Sequence, residues 1–329
     1  MPVAAVALVI PLGATAVIDS SSATTASPDV CQSRGPIEAV ALTNGVSAPR
    51  CSLVGRIVIA GHAAVRIPPA GMGVGGDGVA MFGDDAVSDL QVVNMNGVVT
   101  ASVGGDLQPT EGVVSRPRSA VPLALRFACD DPRYVLEQGG HPWAKALPWH
   151  YFAKSNPARW SVRTTLRQIA LGNHNMRTGY NDCGFKRHPR AYSNYLGTTR
   201  IAPNEYVKGG SAYCGAYNKT NSVGWGPLPG GLLGWTCYWW GGRAGNMIAV
   251  DMRLNPTSSM VIHLPSRCRY KWDLQSVTTH EWGHAYGLAH PGPGHKYLTM
   301  AHNVAPCSTR TRTLGWGDYR GMRALYGLR

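Results

Sequence analysis

The hydrophobic pattern divides the chain into a strand-rich N-terminal part and a mixed C-terminal part. Between about residues 52 and 107, short β-prone runs are separated by Gly and Asp, and Asn96-Gly97 between LQVV and VVTASV predicts a hairpin. After Cys129, residues 147–152 and 246–255 predict strands, and residues 156–176 have the apolar spacing of a helix. Helix, sheet and long loops in one block indicate an α+β fold.

Residues 274–286 form a second predicted helix. Asp273 precedes it and is expected to cap its first free N–H groups. Gly287 comes directly after it and is suited to the left-handed conformation that ends a helix. We therefore expect a sharp change of direction after Tyr286.

The first 16 residues form an apolar run that ends in the small-x-small pattern Ala14-Thr15-Ala16. This pattern is typical of a secretory signal peptide, although no Lys or Arg precedes the run, and a buried strand is the alternative. No later segment has the 18 or so uninterrupted apolar residues of a membrane span. We expect a secreted, extracellular protein without stable membrane insertion. The predicted organisation is a signal peptide at 1–16, a flexible Ser/Thr/Ala-rich leader at 17–30, a β-rich N-terminal domain at 31–107, a linker at 108–126 and a second domain at 127–329.

Eight cysteines are spread along the chain without a C-x-x-C pair, which favours disulfides over a zinc–thiolate site. The sequence leaves their connectivity open. Cys31 with Cys51, and Cys268 with Cys307, are the two pairs that we expect.

Aromatic residues and charge are unevenly distributed. All ten Trp and fourteen Tyr lie at or after Tyr134. Residues 1–120 carry six Lys and Arg against nine Asp and Glu, whereas the remainder carries 25 against 9, a net charge of +16. The positive part favours acidic substrates or association with an anionic cell surface. No nucleic-acid-binding motif is present, and we expect no such partner.

The segment HEWGHAYGLAH at 280–290 has the spacing of a metal site. On a helix, His280 and His284 lie one turn apart on one side, as two imidazoles that share a zinc ion must. Glu281 is then placed beside the metal as a general base, and the turn at Gly287 brings His290 round as a third ligand. Three protein ligands leave a position for water, which indicates a catalytic zinc site. The alternative is that these histidines fill the core or face solvent.

This long motif resembles that of the metzincin metallopeptidases, and the residues C-terminal to it are similar to those of the secreted bacterial matrixins. YLTM brings Met300 ten residues after His290, which resembles the Met-turn beneath the zinc. Residues 312–327, RTLGWGDYRGMRALYG, are similar to the C-terminal matrixin helix, and GYNDCG and AVDMRLN upstream also fit. The likeness covers roughly residues 129–329.

The resemblance implies a zinc endopeptidase that acts on proteins or peptides. It also implies a twisted, mostly parallel sheet, an active-site helix and an edge strand, matched by residues 248–254, to which an extended substrate adds. We therefore predict an α+β protein in which a small all-β N-terminal domain precedes a metzincin-like zinc peptidase domain with a twisted mixed sheet and an active-site helix.

Some residues depart from the matrixin pattern or leave alternatives open. Pro291 stands where matrixins usually have Ser, and their calcium loops are not recognisable, so calcium binding stays open. Cys51 lies in PRC, part of a latency motif that continues differently, so a disulfide is favoured for it over control of latency. Met300 could also be core filler, and His302 is either an auxiliary residue near the zinc or a loop histidine. The aromatic segment WTCYWW at 235–240 packs in the core or lines a substrate groove.

The sequence thus predicts a secreted zinc endopeptidase with Glu281 as its base. The alternative is a non-catalytic secreted binding protein that retains a zinc site. A third option is that the N-terminal part inhibits or chaperones the peptidase and is removed by cleavage near residue 127.

Overall fold

The computed structural model describes residues 28–81, 89–104, 123–137 and 139–329. The predicted signal peptide at 1–16, residues 17–27 of the predicted leader and residues 108–122 of the predicted linker lie outside these ranges.

Helices and strands occur in every described range, with loops between them. The α-helices are α1 (Pro28–Gln32), α2 (Ala48–Cys51), α3 (Leu123–Asp130), α4 (Val162–Thr178), α5 (Leu274–Ala285) and α6 (Trp316–Tyr326), with 3-10 turns at Ala39–Leu42, Ala153–Ser155 and Arg310–Arg312. The strands are β1 (Ile37–Glu38), β2 (Val46–Ser47), β3 (Ile57–Ala60), β4 (Ala63–Arg66), β5 (Met72–Asp77), β6 (Ala80–Met81), β7 (Leu90–Met95), β8 (Val98–Val103), β9 (Val135–Leu136), β10 (Leu147–Tyr151), β11 (Ser193–Thr198), β12 (Glu205–Lys208), β13 (Ser211–Cys214), β14 (Ser222–Trp225), β15 (Gly234–Gly241), β16 (Asn246–Leu254), β17 (Met260–Val261), β18 (Trp272–Asp273), β19 (Leu288–Ala289) and β20 (Asn303–Val304).

Within the described residues, the largest sheet has the order β11-β10-β14-β16-β15-β5-β7-β8-β2. Pairing is parallel from β11 to β16 and antiparallel from β16 onward. The sheet is therefore mixed, and its parallel part comes entirely from strands after residue 146. The predicted α/β mixture is confirmed.

The prediction that residues 248–254 form an edge strand is wrong. They belong to β16, which is interior, between β14 and β15. Nor does β15 end the sheet, because β5 pairs with it in antiparallel register from Met72 opposite Gly241 to Asp77 opposite Thr236.

The glycines of β5 explain why this strand fits beside the aromatic strand β15. A Cβ at Gly73 would lie 2.2 Å from the Trp240 ring, and one at Gly75 would lie 2.3 Å from the Tyr238 ring. Only a strand without side chains at these positions leaves room for the rings. The aromatic residues of β15 are buried, which settles that WTCYWW packs in the core.

The N-terminal strands therefore continue the sheet of the C-terminal half. A second sheet joins the two halves as well, because β4 pairs in parallel with β13. A separate all-β N-terminal domain is not confirmed. The predicted hairpin is confirmed: β7 and β8 are joined by Asn96 and Gly97, whose φ angles of 51° and 76° suit a two-residue hairpin turn.

Helix α5 is buried along its whole length and begins at the predicted cap, where the Asp273 carboxylate accepts a hydrogen bond from the Ser276 N–H. It packs closely against α4, where a Cβ at Gly172 would lie 2.4 Å from the Thr278 hydroxyl. Helix α4 begins at Val162 rather than at residue 156, because the Ser161 hydroxyl caps it by accepting from the Thr164 N–H.

All eight cysteines form disulfides: Cys31–Cys51, Cys129–Cys183, Cys214–Cys237 and Cys268–Cys307. Both predicted pairs are confirmed. Among the described residues, no helix combines the length and apolar character needed to cross a bilayer.

Candidate metal centre

Three imidazole rings converge at the C-terminal end of α5. His280 Nε2 lies 3.0 Å from His284 Nε2 and 3.0 Å from His290 Nε2. His284 follows His280 by four positions along the helix, and Gly287, with φ of 96°, turns the chain so that His290 reaches the same point. The sequence predicted this convergence, and the structure brings all three rings together.

The hydrogen bonds of the rings decide which nitrogen faces the centre. His280 Nδ1 donates to the Thr299 carbonyl at 2.7 Å, and His284 Nδ1 donates to the Leu288 carbonyl at 2.9 Å. A carbonyl can only accept, so the proton of each ring is on Nδ1 and its Nε2 carries a lone pair. His290 Nδ1 lies 2.7 and 2.8 Å from the two carboxylate oxygens of Asp89 and donates to them likewise.

Three lone pairs directed at one point fit a divalent cation. Nitrogen ligands of tetrahedral zinc at about 2.0–2.1 Å stand roughly 3.3 Å apart, close to the separation here. The pKa values of His280 and His290 are well below the usual value, and burial is the largest cause. Both rings are therefore neutral, as metal ligands must be. The triad is compatible with a metal site.

A second layer of buried acids surrounds the triad. Asp89 is separated from His290 by 201 positions, and it forms the carboxylate–histidine pair that fixes ring orientation in zinc sites. On the other side, a Glu137 carboxylate oxygen lies 3.3 Å from His284 Nδ1. Glu137 also accepts hydrogen bonds from Gln91 and Tyr238, and burial raises its pKa to about 8.

Glu281 is fully buried next to the triad. Its Oε2 accepts a hydrogen bond from the Thr236 hydroxyl at 2.6 Å, and its Oε1 accepts one from the Val79 backbone N–H at 3.1 Å. Burial raises the pKa of Glu281 to about 7, although His284 and these hydrogen bonds lower it. A carboxyl group with this pKa can both take and release a proton near neutral pH.

Met300 lies against the same helix. A Cβ at Gly283 would come within 2.1 Å of Met300 Sδ, so a glycine is needed where the thioether passes beneath α5. The Met300 and Thr299 N–H groups donate to Asp318 of α6, at 3.0 and 2.8 Å. Through these two hydrogen bonds, Asp318 fixes the turn at Thr299 and Met300, which lies under α5, to α6.

The ring centroid of His302 lies 4.1 Å from that of His290, and the two ring planes are tilted by 43°. His302 thus lies beside the triad, in the loop before β20, and an auxiliary role for it stays a prediction. Its ring nitrogens belong to a group with Asp89 and His290 that also has the spacing of metal ligands.

The sequence pattern does not predict three residues that lie around the triad and Glu281: Asp89, Glu137 and Thr236. None of them lies in a motif, and each reaches the site from a different strand or loop. Asp89 precedes the predicted strand LQVV, but nothing in that pattern indicates proximity to a histidine two hundred residues later.

Comparison with known proteins agrees with the motif. Residues 192–327 match the family model of the matrixins, a segment that contains β11 to α6 and therefore the whole histidine triad. No curated protein matches the chain. Residues 192–327 of the chain are therefore similar to the matrixin metallopeptidases.

Proposed function

We propose that the protein is a secreted zinc-dependent endopeptidase. The observation that carries this proposal is the convergence of three imidazoles, each of which donates its Nδ1 proton to another group, beside a buried carboxyl group. His280, His284 and His290 would hold the zinc, and Glu281 would be the general base. When bound, zinc supplies Lewis acidity that activates water and polarises the carbonyl of a peptide.

The protein residues then have defined tasks. Glu281 takes a proton from the attacking water and delivers it to the amide nitrogen of the leaving strand. The Thr236 hydroxyl fixes the orientation of the Glu281 carboxylate by donating to one of its oxygens. The other carboxylate oxygen accepts from the backbone N–H of Val79. A base within hydrogen-bond reach of an amide nitrogen has the geometry that proton delivery requires.

Met300 has a structural role in this proposal, packed beneath α5 at Gly283. His302 has an auxiliary role, close enough to His290 to polarise a substrate carbonyl. Four disulfides are expected of a protein that folds in an oxidising compartment, which supports an extracellular location after removal of residues 1–16.

The test is hydrolysis of casein by the full chain with zinc, with a chelator, and after zinc is restored. Glu281→Gln is expected to retain zinc and to lose activity by a factor of about 10²–10⁴, because it removes the proton acceptor. Glu38→Gln, the same change at an exposed strand residue, is the matched control and should be fully active. His284→Ala should lose zinc.

Two results would reject the proposal. A fully active Glu281→Gln variant would exclude the mechanism. A chain that binds zinc through the triad but never cleaves casein or any other peptide would instead favour the alternative, a secreted binding protein with a retained zinc site.

A further inference from the structure

Residues 72–81 of the chain pass Glu281, and residues 78–81 lie between residues 231–234 and His302, in a space that we call the cleft. As β5, the segment pairs antiparallel with β15 as far as Asp77. As β6, it then pairs in parallel with β20, and Ala80 also forms an antiparallel bridge to Leu232. An extended peptide added to a strand edge is a common mode of substrate recognition, and here the chain supplies that peptide itself.

Backbone hydrogen bonds hold this segment on both sides. The Val79 carbonyl accepts from the Leu233 N–H at 2.7 Å. The Ala80 N–H donates to the His302 carbonyl at 3.1 Å, and the Met81 N–H donates to the Gly231 carbonyl at 3.1 Å. The peptide bond between Gly78 and Val79 is thereby fixed in position next to Glu281, which follows His280 on α5.

The two residues of this bond fit the cleft for different reasons. Gly78 passes so near β15 that a Cβ there would lie 2.3 Å from the Gly234 carbonyl oxygen. Val79 is fully buried, and its side chain belongs to the same apolar cluster as Leu233 and Met300. Its N–H points at Glu281 Oε1, 3.1 Å away.

From this geometry, and resting on the proposed peptidase activity, we infer that the Gly78–Val79 bond is the chain's own cleavage site. A water oxygen adds to the Gly78 carbonyl carbon, and the C–N bond to Val79 breaks. Glu281 transfers the proton from that water to the Val79 nitrogen. Gly78 ends as a carboxylate and Val79 becomes a new amino terminus.

Self-cleavage at this bond has two consequences for the molecule. Until the bond is cut, residues 77–81 fill the cleft and exclude other peptides. The cut also separates the two products covalently, because Cys31–Cys51 lies entirely before residue 78 and the other three disulfides lie entirely after it. The site is distinct from the region near residue 127, where cleavage is a third option from the sequence.

The experiment starts from full-length chain purified with a chelator and begins on addition of zinc. N-terminal sequencing and intact mass are expected to show a product that begins at Val79. Its first-order rate constant should not change on tenfold dilution, because the bond already lies in the cleft of its own molecule. The Glu281→Gln chain, mixed with active protein, should remain uncut at this bond over the same period.

Gly78→Val is the diagnostic variant, because its side chain cannot pass Gly234. It should slow formation of the Val79 terminus by about 100-fold, the typical cost of displacing a reacting group by about 1 Å. Gly35→Val is the matched control, since a Cβ at Gly35 meets nothing within 4 Å, and it should be cut at the normal rate.

A second measurement does not depend on activity. In the Glu281→Gln chain without zinc, amide hydrogen exchange should be slow across residues 79–81, because these N–H groups are bonded inside the cleft. Adding Gly78→Val should make exchange in this stretch fast while α4 stays protected; Gly35→Val should change neither.

The outcomes separate the two proposals. If the zinc-loaded chain cleaves casein but yields no Val79 terminus, or if cutting depends on concentration, the inference is overturned and the peptidase assignment stands. Fast exchange of residues 79–81 in the Glu281→Gln chain would also overturn it. If Gly78→Val binds zinc and folds but hydrolyses no substrate, the peptidase assignment itself fails, and self-cleavage with it.

Discussion

Asp89 is expected to strengthen zinc binding although it cannot touch the metal. Both carboxylate oxygens lie within 2.8 Å of His290 Nδ1, and the side chain is almost fully buried, with 4% of its surface exposed. This contact fixes the orientation of the ring and makes its Nε2 a stronger donor. Loss of such a contact typically weakens metal affinity 10- to 100-fold, which is about 1.4–2.7 kcal/mol.

Two substitutions divide this effect into its parts. Asp89→Asn keeps an oxygen that accepts the Nδ1 proton but removes the negative charge, so a loss near tenfold is expected. Asp89→Ala removes the acceptor as well and leaves a buried N–H without a partner, so its loss should approach 100-fold.

The assay is competition for zinc against a chromophoric chelator at pH 7, in the Glu281→Gln background so that no chain is cut. Asp131→Asn is the matched control, because Asp131 also pairs with a histidine, His295, at 2.8 Å but outside the triad. It should leave the zinc dissociation constant unchanged. If Asp89→Ala binds zinc within twofold of its parent, the orienting role of Asp89 is refuted.

Three further predictions concern the framework around the site. Gly283→Ala should lower both thermal stability and zinc affinity, because its methyl group overlaps Met300; a melting temperature and zinc affinity equal to the parent's would contradict this packing. Burial raises the pKa of Asp251 from 3.8 to about 7, so its contribution to stability is present below pH 4 and is lost as the pH rises toward 7. Between these pH values, the free energy of unfolding should fall less steeply in Asp251→Asn than in the parent, by up to about 1.4 kcal/mol per pH unit, measured by denaturant titration. Equal slopes in variant and parent would refute the shift. Replacing Cys268 and Cys307 together by Ser should cost about 3–4 kcal/mol of stability, since the bridge closes a loop with a sequence separation of 39 residues, and equal denaturation midpoints for variant and parent would show otherwise.

Local patterns in the sequence were enough to predict α5, its cap at Asp273 and the turn at Gly287. They were also enough to predict that His280, His284 and His290 meet, because all the spacing they need is contained in eleven consecutive residues. The hairpin at Asn96-Gly97 is confirmed for the same reason: its turn chemistry is local.

The sequence pattern failed where strands pair over long distances. Periodicity predicts the strand at residues 246–255 but not its neighbours, and the edge position that the matrixin resemblance implies for residues 248–254 is wrong because β16 is interior. The N-terminal strands were assigned to a separate domain because the aromatic content and charge change near residue 130. Backbone pairing depends on neither property, and β5 joins β15 through glycines that make room for its rings.

The amino-acid sequence by itself thus determined that the three histidines and Glu281 lie together, because a helical turn and one left-handed glycine bring these groups together. Only the tertiary structure decided what surrounds them: Asp89 behind His290, Thr236 beside Glu281, and Val79 in the cleft. These contacts join residues up to 202 positions apart. No local spacing encodes them, because they exist only once strands from both halves of the chain share one sheet.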